Sequence, residues 1–320
     1  MANSRQLNKI MHIKIGTRGS RLALWQAYHV ETLLKKGDVT TEIVIIETKG
    51  DKILDRSLSK IGSKGVFTQE LEDQLRSGEI DIAVHSAKDL QSQLDEDFEL
   101  LAFTEREHAN DVLVSYNTSL SLGSGESFVV GTSSTRRIAI LKHYYPHIKI
   151  VDMRGNLQTR FRKLQEGQCD ALLLAYAGVH RMEYDVAIAE HLLLDEFTPA
   201  VGQGSVAIES SVYLSDAKKE MLKKLLNHEQ TEICLRTERA FLKRLQGGCS
   251  IPVFALAILN NDEITISGGI VSLDGQEIIR RSESGSAAFP EDLGTALADE
   301  LLEAGADRIL NAIRSQNPVS

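Results

Sequence analysis

Five arginines, Arg18, Arg136, Arg137, Arg154 and Arg160, each stand beside, or within two residues of, glycine, serine or threonine. The planar guanidinium fork matches carboxylate and phosphate oxygens, and small neighbours let backbone N–H groups approach the same anion. The whole chain carries a net charge of -9, so the cationic clustering is local. That balance argues against a nucleic-acid partner, whose phosphate backbone needs a broad basic surface. A small ligand bearing several carboxylates is the simpler reading. Any one of these arginines would more often make an ordinary surface salt bridge; the grouping into four short segments is what points to a site.

A second set of residues has the chemistry to act on such a ligand. Asp89 follows an apolar run and Lys88; a carboxylate there can stabilise a cation or exchange a proton, or it can cap the next helix or pair with the lysine. Cys249 lies in Leu245-Gln246-Gly247-Gly248-Cys249-Ser250-Ile251-Pro252. The two glycines can end a helix and Pro252 restricts the exit, so the thiol is presented on a defined loop, although most loop cysteines are inert. Lys60 and Lys64 sit with Gly62 and Gly65 in a basic loop that is either a lid or a plain solvated turn. His85 reads as a packed strand-end histidine, with no partner for a nucleophilic triad. The phosphate-binding patterns Gly-x-Gly-x-x-Gly at a strand-to-helix turn and Gly-x-x-x-x-Gly-Lys-Ser/Thr are absent.

Positioning these residues falls to an alternation of short apolar runs and amphipathic helical stretches over the first two thirds of the chain, the pattern of a mostly parallel sheet. Strands are expected at 12–15, 42–47, 80–85, 99–103, 112–115, 128–131, 149–153, 170–175 and 205–209, too many for one small sheet. Ser20 is expected to cap a helix carrying Leu24, Tyr28 and Leu33 on one face, and Thr68 a helix carrying Leu71 and Leu75, stopped by Gly78. Two lobes with a break near 104–108 fit this order. Beyond about Leu214 come helices at 217–226 and 229–245, strands at 253–259, 263–267 and 276–281, and one long helix at 291–314. In open α/β sheets ligands sit beyond the carboxyl ends of the strands. Segments 16–20, 86–89, 132–137 and 154–156 occupy those ends, so facing lobes would turn them into the walls of a cleft.

At 320 residues the chain exceeds the length at which a single core stops growing. Its 42% hydrophobic and 25% charged residues are ordinary for a soluble globular protein. The polar start, without an apolar signal stretch or a membrane span, gives the expectation of a cytoplasmic protein with no membrane partner. Three scattered cysteines suit neither a disulfide framework nor a zinc site, and no metal is expected.

Together, several segments resemble the porphobilinogen deaminase (hydroxymethylbilane synthase) family. They are Gly16-Thr17-Arg18-Gly19-Ser20-Arg21-Leu22-Ala23-Leu24-Trp25-Gln26-Ala27, Asp81-Ile82-Ala83-Val84-His85-Ser86-Ala87-Lys88-Asp89 and Val130-Gly131-Thr132-Ser133-Ser134-Thr135-Arg136-Arg137. Shorter matches are Arg154-Gly155-Asn156, Pro199-Ala200-Val201-Gly202-Gln203-Gly204, and Glu238-Arg239-Ala240 leading to Gly247-Gly248-Cys249. The matches run in order over nearly the whole chain from Ile13.

The resemblance implies an α/β fold of two doubly wound lobes like those of periplasmic binding proteins, with a cleft, plus a smaller C-terminal α+β domain with a three-stranded antiparallel sheet. It implies residues 12–104 with 205–222 as a catalytic lobe, 105–204 as a cofactor and carboxylate-binding lobe, and 223–320 as the domain bearing the attachment cysteine. A dipyrromethane cofactor, bound by a thioether to Cys249, would prime the joining of four porphobilinogen molecules into hydroxymethylbilane. By similarity the catalytic pair is Asp89 and Lys88. The cofactor would also meet Ser133, Ser134, Arg136, Arg137, Arg154, Gly155 and Gly204, and the substrate Arg18, Ser20, Lys60, Lys64, Arg154, Arg160 and Arg181. Porphobilinogen is the one partner expected, and the enzyme is expected to be a monomer. Ala87, Gln91 and His108-Ala109-Asn110 depart from the family pattern, and the lost proline at position 91 should leave the segment after Asp89 less restricted. Two other readings of these residues are a two-lobed anion-binding module and a cysteine-dependent acyl transferase. The Gly-Gly-Cys loop has no role in the first, and the second has no recognisable base among His108, His180 and His228.

Overall fold

The computed structural model describes residues 11–37, 39–52, 68–248 and 251–316. Among these residues the strands are β1 (His12–Thr17), β2 (Thr40–Ile45), β3 (Ile82–Ser86), β4 (Phe98–Phe103), β5 (Asp111–Val114), β6 (Val129–Gly131), β7 (Lys149–Val151), β8 (Ala171–Ala175), β9 (Ile188–His191), β10 (Val206–Ser211), β11 (Val253–Asn260), β12 (Glu263–Val271) and β13 (Ile278–Ser286). They form three sheets, ordered β2-β1-β3-β10-β4, β7-β6-β8-β5-β9 and β11-β12-β13. The first two repeat one plan. Three parallel strands are followed by a single antiparallel strand, β10 in one lobe and β5 in the other, placed between the third strand and the edge. Both inserted strands begin just after the chain has crossed between the lobes, so each sheet is completed by a segment arriving from the other lobe.

Local sequence explains the elements that frame the cleft. In β1 Ile13 and Ile15 are fully buried on one face. The Ser20 hydroxyl then accepts from the Ala23 N–H at 3.3 Å and starts helix Arg21–Lys35. Its buried stripe is Ala23, Gln26, Ala27, Val30 and Leu34, with Tyr28 exposed, so the inward face is rotated from the expected Leu24, Tyr28 and Leu33. Helix Gln69–Ser77 buries Leu71 and Leu75 and stops at left-handed Gly78, as expected, but the Thr68 side chain makes no cap. Strand β9 was not expected: Ile188-Ala189-Glu190-His191 is a short, mixed edge segment with little pattern of its own. The long terminal helix is two helices, Pro290–Leu301 and Asp307–Gln316, parted at Gly305 with φ 100°.

The third sheet is tied to both lobes. Phe254 of β11 and Val271 of β12 complete the core of the second lobe with Leu113, Ile140, Leu173 and Phe197. Leu235, on helix Glu229–Arg244, packs with Ala87, Leu90 and Phe103 of the first lobe. Each large side chain buried this way contributes roughly 1.5–3 kcal/mol. One carboxylate joins all three parts: Glu238 accepts from Arg106 Nη1 at 2.5 Å, from the Gly202 N–H at 2.8 Å and from the Ala257 N–H at 2.9 Å. Arg106 and Gly202 lie on the two interlobe crossings, and Arg106 Nε also donates to the Gln203 carbonyl at 2.9 Å.

Candidate functional site

Between the lobes lies a cavity of about 770 Å³ into which the strand-end segments open. Its described walls carry seven cationic side chains and one carboxylate, Asp89. In a chain of net charge -9, that inversion of sign marks a site for an anion. The cavity brings together Arg18, Ser20, Lys88, Asp89, Ser133 and Ser134, and with them Arg136, Arg137, Arg154, Gly155, Arg160, Arg181 and Gly204. Lys60, Lys64 and Cys249 lie outside the described residues; Gly247, Gly248 and Ile251, close to Cys249 in the chain, line the cavity.

Strand β3 delivers the reactive pair. Ile82 to His85 are buried, and His85 Nε2 meets Glu209 Oε2 of β10 at 3.0 Å, which pins the strand end. The chain then turns through Ala87–Asp89. Gly202, at φ 77°, packs so closely that a Cβ there would lie 2.9 Å from the Ala87 carbonyl carbon. A small side chain at 87 suits this approach. The segment after Asp89 is held despite lacking the proline, because Arg239 Nη2 donates to the Gln91 carbonyl at 2.8 Å. The Asp89 side chain is exposed and no hydrogen bond ties it to any described residue.

Three helices start at the cavity: Arg21–Lys35 behind Ser20, Thr135–Tyr144 behind Ser134, and Leu157–Gln165 behind Asn156. Their N-termini offer N–H groups and a positive dipole end to an anion. Gly155, at φ 113°, is required because a Cβ would sit 2.6 Å from Thr159 Cγ2. Its carbonyl accepts from Arg160 Nε at 2.9 Å, and burial with the neighbouring Arg137 charge lowers the Arg160 pKa to about 10. Arg154 Nε donates to Asp152 at 2.7 Å.

The adjacent arginines are held by a group that sequence reading did not single out. Asp111, at the head of the otherwise apolar β5, accepts from Arg136 Nη2 and Arg137 Nη2, each at 2.7 Å, and is fully buried. The two guanidiniums keep its carboxyl well below the usual range despite burial. Arg136 also donates to the Thr198 carbonyl and Arg137 to the Leu173 carbonyl. Each leaves a buried Nε without a partner among the described residues. Two arginines on one carboxylate retain one excess positive charge. Gln203, also missed, joins this pair to Lys88: its Nε2 donates to Asp111 and the Ala109 carbonyl, and its Oε1 accepts from Lys88 Nζ at 3.3 Å and Arg137 Nη2 at 3.4 Å. An acid opening an apolar strand was the one available signal for Asp111; Gln203 falls within the matched segment 199–204 but nothing in its local pattern gives it a role.

Burial of the Lys88 ammonium and the Arg137 charge lower its pKa to about 8. Lys88 is therefore cationic below that value and becomes neutral as pH rises through it. Its attraction for ligand carboxylates is present at low pH and lost above about 8. The expected result is a fall in kcat/KM above that pH, a limb that disappears in Lys88→Arg because arginine stays protonated. An unchanged limb in the arginine variant would assign it to another group.

Among the described residues no helix is long and apolar enough to cross a membrane, and no group of three or more His, Cys, Asp or Glu is arranged to hold a metal ion. Residues 13–219 match the family model for the porphobilinogen deaminase dipyrromethane cofactor-binding domain, and residues 232–303 that for the porphobilinogen deaminase C-terminal domain. The chain is 56% identical over 302 residues to the porphobilinogen deaminase of Cytophaga hutchinsonii, covering 94% of this chain and 97% of that one. It is 52% identical over 307 residues to that of Desulfosudis oleivorans, covering 96% and 99%. The periplasmic VFT2 domain of Bordetella pertussis BvgS aligns over 67% of this chain and 86% of its own at 17% identity and TM-score 0.41. That likeness is too low to argue from, and the two-lobed architecture rests on the strand order itself.

Proposed function

The chain belongs to the porphobilinogen deaminase family, and we propose that its cavity joins four porphobilinogen molecules head to tail on a dipyrromethane held by Cys249, with loss of one ammonia per unit, and that hydrolysis then releases hydroxymethylbilane and leaves the two-ring primer on Cys249. It is a transferase of tetrapyrrole synthesis with a dipyrromethane cofactor-binding domain. The observation that carries the residue-level reading is that, among the described residues of the cavity wall, a single carboxylate, Asp89, is set among seven cations. This reading takes 12–104 with 205–222, 105–204 and 223–320 as the working domains of a cytoplasmic monomer that needs neither nucleic acid nor membrane.

The residues present fit the cofactor. Its acetate and propionate groups call for fixed cations and N–H donors, and the unpartnered Nε atoms of Arg136 and Arg137 supply donors beside the helix N-terminus at Ser134. Lys88, Ser133, Arg154 and Gly155 would complete the cradle, with Gly204 at the second crossing. When bound, the dipyrromethane would supply the nucleophilic pyrrole carbon to which the first substrate unit is joined. The chain's own residues do the rest. Arg18, Ser20, Arg160 and Arg181 hold the substrate carboxylates and fix its ring. A carboxylate oxygen of Asp89 accepts pyrrole N–H bonds, balances positive charge as ammonia leaves the substrate, and takes up the proton released at each addition. Lys60 and Lys64 are proposed to add cationic contacts.

Intact mass of the reduced, denatured protein, followed by peptide mapping, tests the attachment. An added mass of two linked pyrrole units on the Cys249 peptide is expected, absent in Cys249→Ala. A wild-type chain that is purified without the adduct and gains none on incubation with porphobilinogen would overturn the reading.

A further inference from the structure

Trp25 is the chain's single tryptophan, and nothing in the chemistry above uses it. It lies on helix Arg21–Lys35 of the first lobe, within three residues of the cavity-lining Leu22 and beside Gln26. Arg181 belongs to the second lobe, at the end of helix Tyr176–Arg181. The two meet across the cleft: the guanidinium carbon of Arg181 stands 5.0 Å from the centroid of the Trp25 ring. The lobes also come near each other at Gly178, where an added Cβ would be in ordinary van der Waals contact with Leu22 Cδ2 at 3.8 Å. On the Trp25 side the His29 ring stacks at 5.2 Å with an interplanar angle of 5°. Burial, then the Arg181 and Lys36 charges, hold the His29 pKa below its ordinary value, so the ring stacked on the indole is neutral at neutral pH. Arg181 Nη2 also donates to the Gly204 carbonyl at 2.7 Å, on the second crossing.

We infer that Trp25 is a positioning residue, an interlobe shelf that orients Arg181 toward the substrate carboxylates at the lobe angle seen here. An arginine over an indole face is attracted by the ring quadrupole while its N–H edges stay available to an anion. The indole and the guanidinium belong to different lobes, so a change in the interlobe angle separates them and leaves the arginine with its bond to the Gly204 carbonyl but without the ring that fixes its plane. This aromatic contact thus adds a tie between site geometry and lobe angle to the one that Gln203 makes between Lys88 and Arg137. This inference rests on the reading that the cavity takes pyrrole carboxylates; the contact itself does not.

The test has two arms. In Trp25→Leu holoenzyme the KM for porphobilinogen is expected to rise about tenfold, about 1.4 kcal/mol, with kcat within about twofold. Trp25→Phe keeps a π face and should bring KM back to within about threefold of wild type. Independently of turnover, Arg181→Leu should shift the emission of Trp25 while the far-ultraviolet circular dichroism stays unchanged, and this arm decides the matter if the leucine variant at 25 does not fold. An unchanged KM in Trp25→Leu, equal defects in the leucine and phenylalanine variants, or unaltered Trp25 emission in Arg181→Leu would overturn the shelf. A wild-type chain that fails to consume porphobilinogen would overturn the proposed reaction instead, and the emission comparison would still judge the contact.

Discussion

Asp89→Asn is expected to fold normally and to lose turnover by about 10²- to 10⁴-fold, the range for removing a positioned acid–base group. Folding should survive because the Asp89 side chain is exposed in the cavity and bonded to no described residue. The exchange is nearly isosteric. Turnover should not survive: asparagine can still accept one pyrrole N–H bond but can neither take up a proton near neutral pH nor balance a cation. Among the described residues it would also leave the cavity wall with cations as its only charges. Single-turnover formation of linear product, read beside circular dichroism, checks this. A variant within about threefold of wild type would remove Asp89 from the chemistry.

Asp111→Asn should act on the fold first. The variant leaves Arg136 and Arg137 buried against a neutral group, and breaking a buried ion pair from one side costs about 3–5 kcal/mol. A fall in Tm on the order of 10 °C is the expected readout. The pH dependence follows from linkage. The native Asp111 pKa lies below its unfolded value, so its stabilisation is complete above the unfolded carboxylate range and is lost as pH falls toward the native value. The asparagine variant should therefore lose less of its remaining stability between about pH 5 and pH 2 than wild type does. Equal acid sensitivity in the two proteins would show that Asp111 does not carry this dependence. The two substitutions separate cleanly, since one removes chemistry from an intact wall and the other removes the support of the wall.

What the chain revealed before folding was governed by distance along it. Arg18, Lys88, Asp89 and Arg154 announce themselves because each sits in a short loop at the end of an apolar run, so local pattern alone places them at one edge of a sheet. The third-domain strands were legible for the same reason, each being a run bounded by turn residues. Gln203 was not legible, because its meaning comes from meeting Lys88, Asp111 and Arg137, segments joined only by the fold. Trp25 stands in a matched segment, yet the sequence gives it no role, since its partner Arg181 lies on the other lobe. Glu238 belonged to a matched motif, yet the joint it makes with Arg106 and Gly202 depends on three segments converging. The long terminal helix failed differently: its apolar positions keep helical spacing through Gly305, and only the backbone reveals the break.

The exchange of strands between lobes also sets the order in which the molecule can be finished as it is synthesised. Domains are usually expected to fold as they emerge, the amino-terminal one first. Here the first sheet lacks the strand between β3 and β4 until Val206–Ser211 has been made, after the whole second lobe. The second lobe in turn keeps its core open until Phe254 and Val271 arrive from the third sheet. At roughly 5–20 residues per second each wait lasts on the order of ten seconds. Neither lobe can close on the ribosome ahead of the chain that follows it, so the nascent protein exposes unpaired β3 and β4 edges during elongation and reaches its working shape only when the final third has been made.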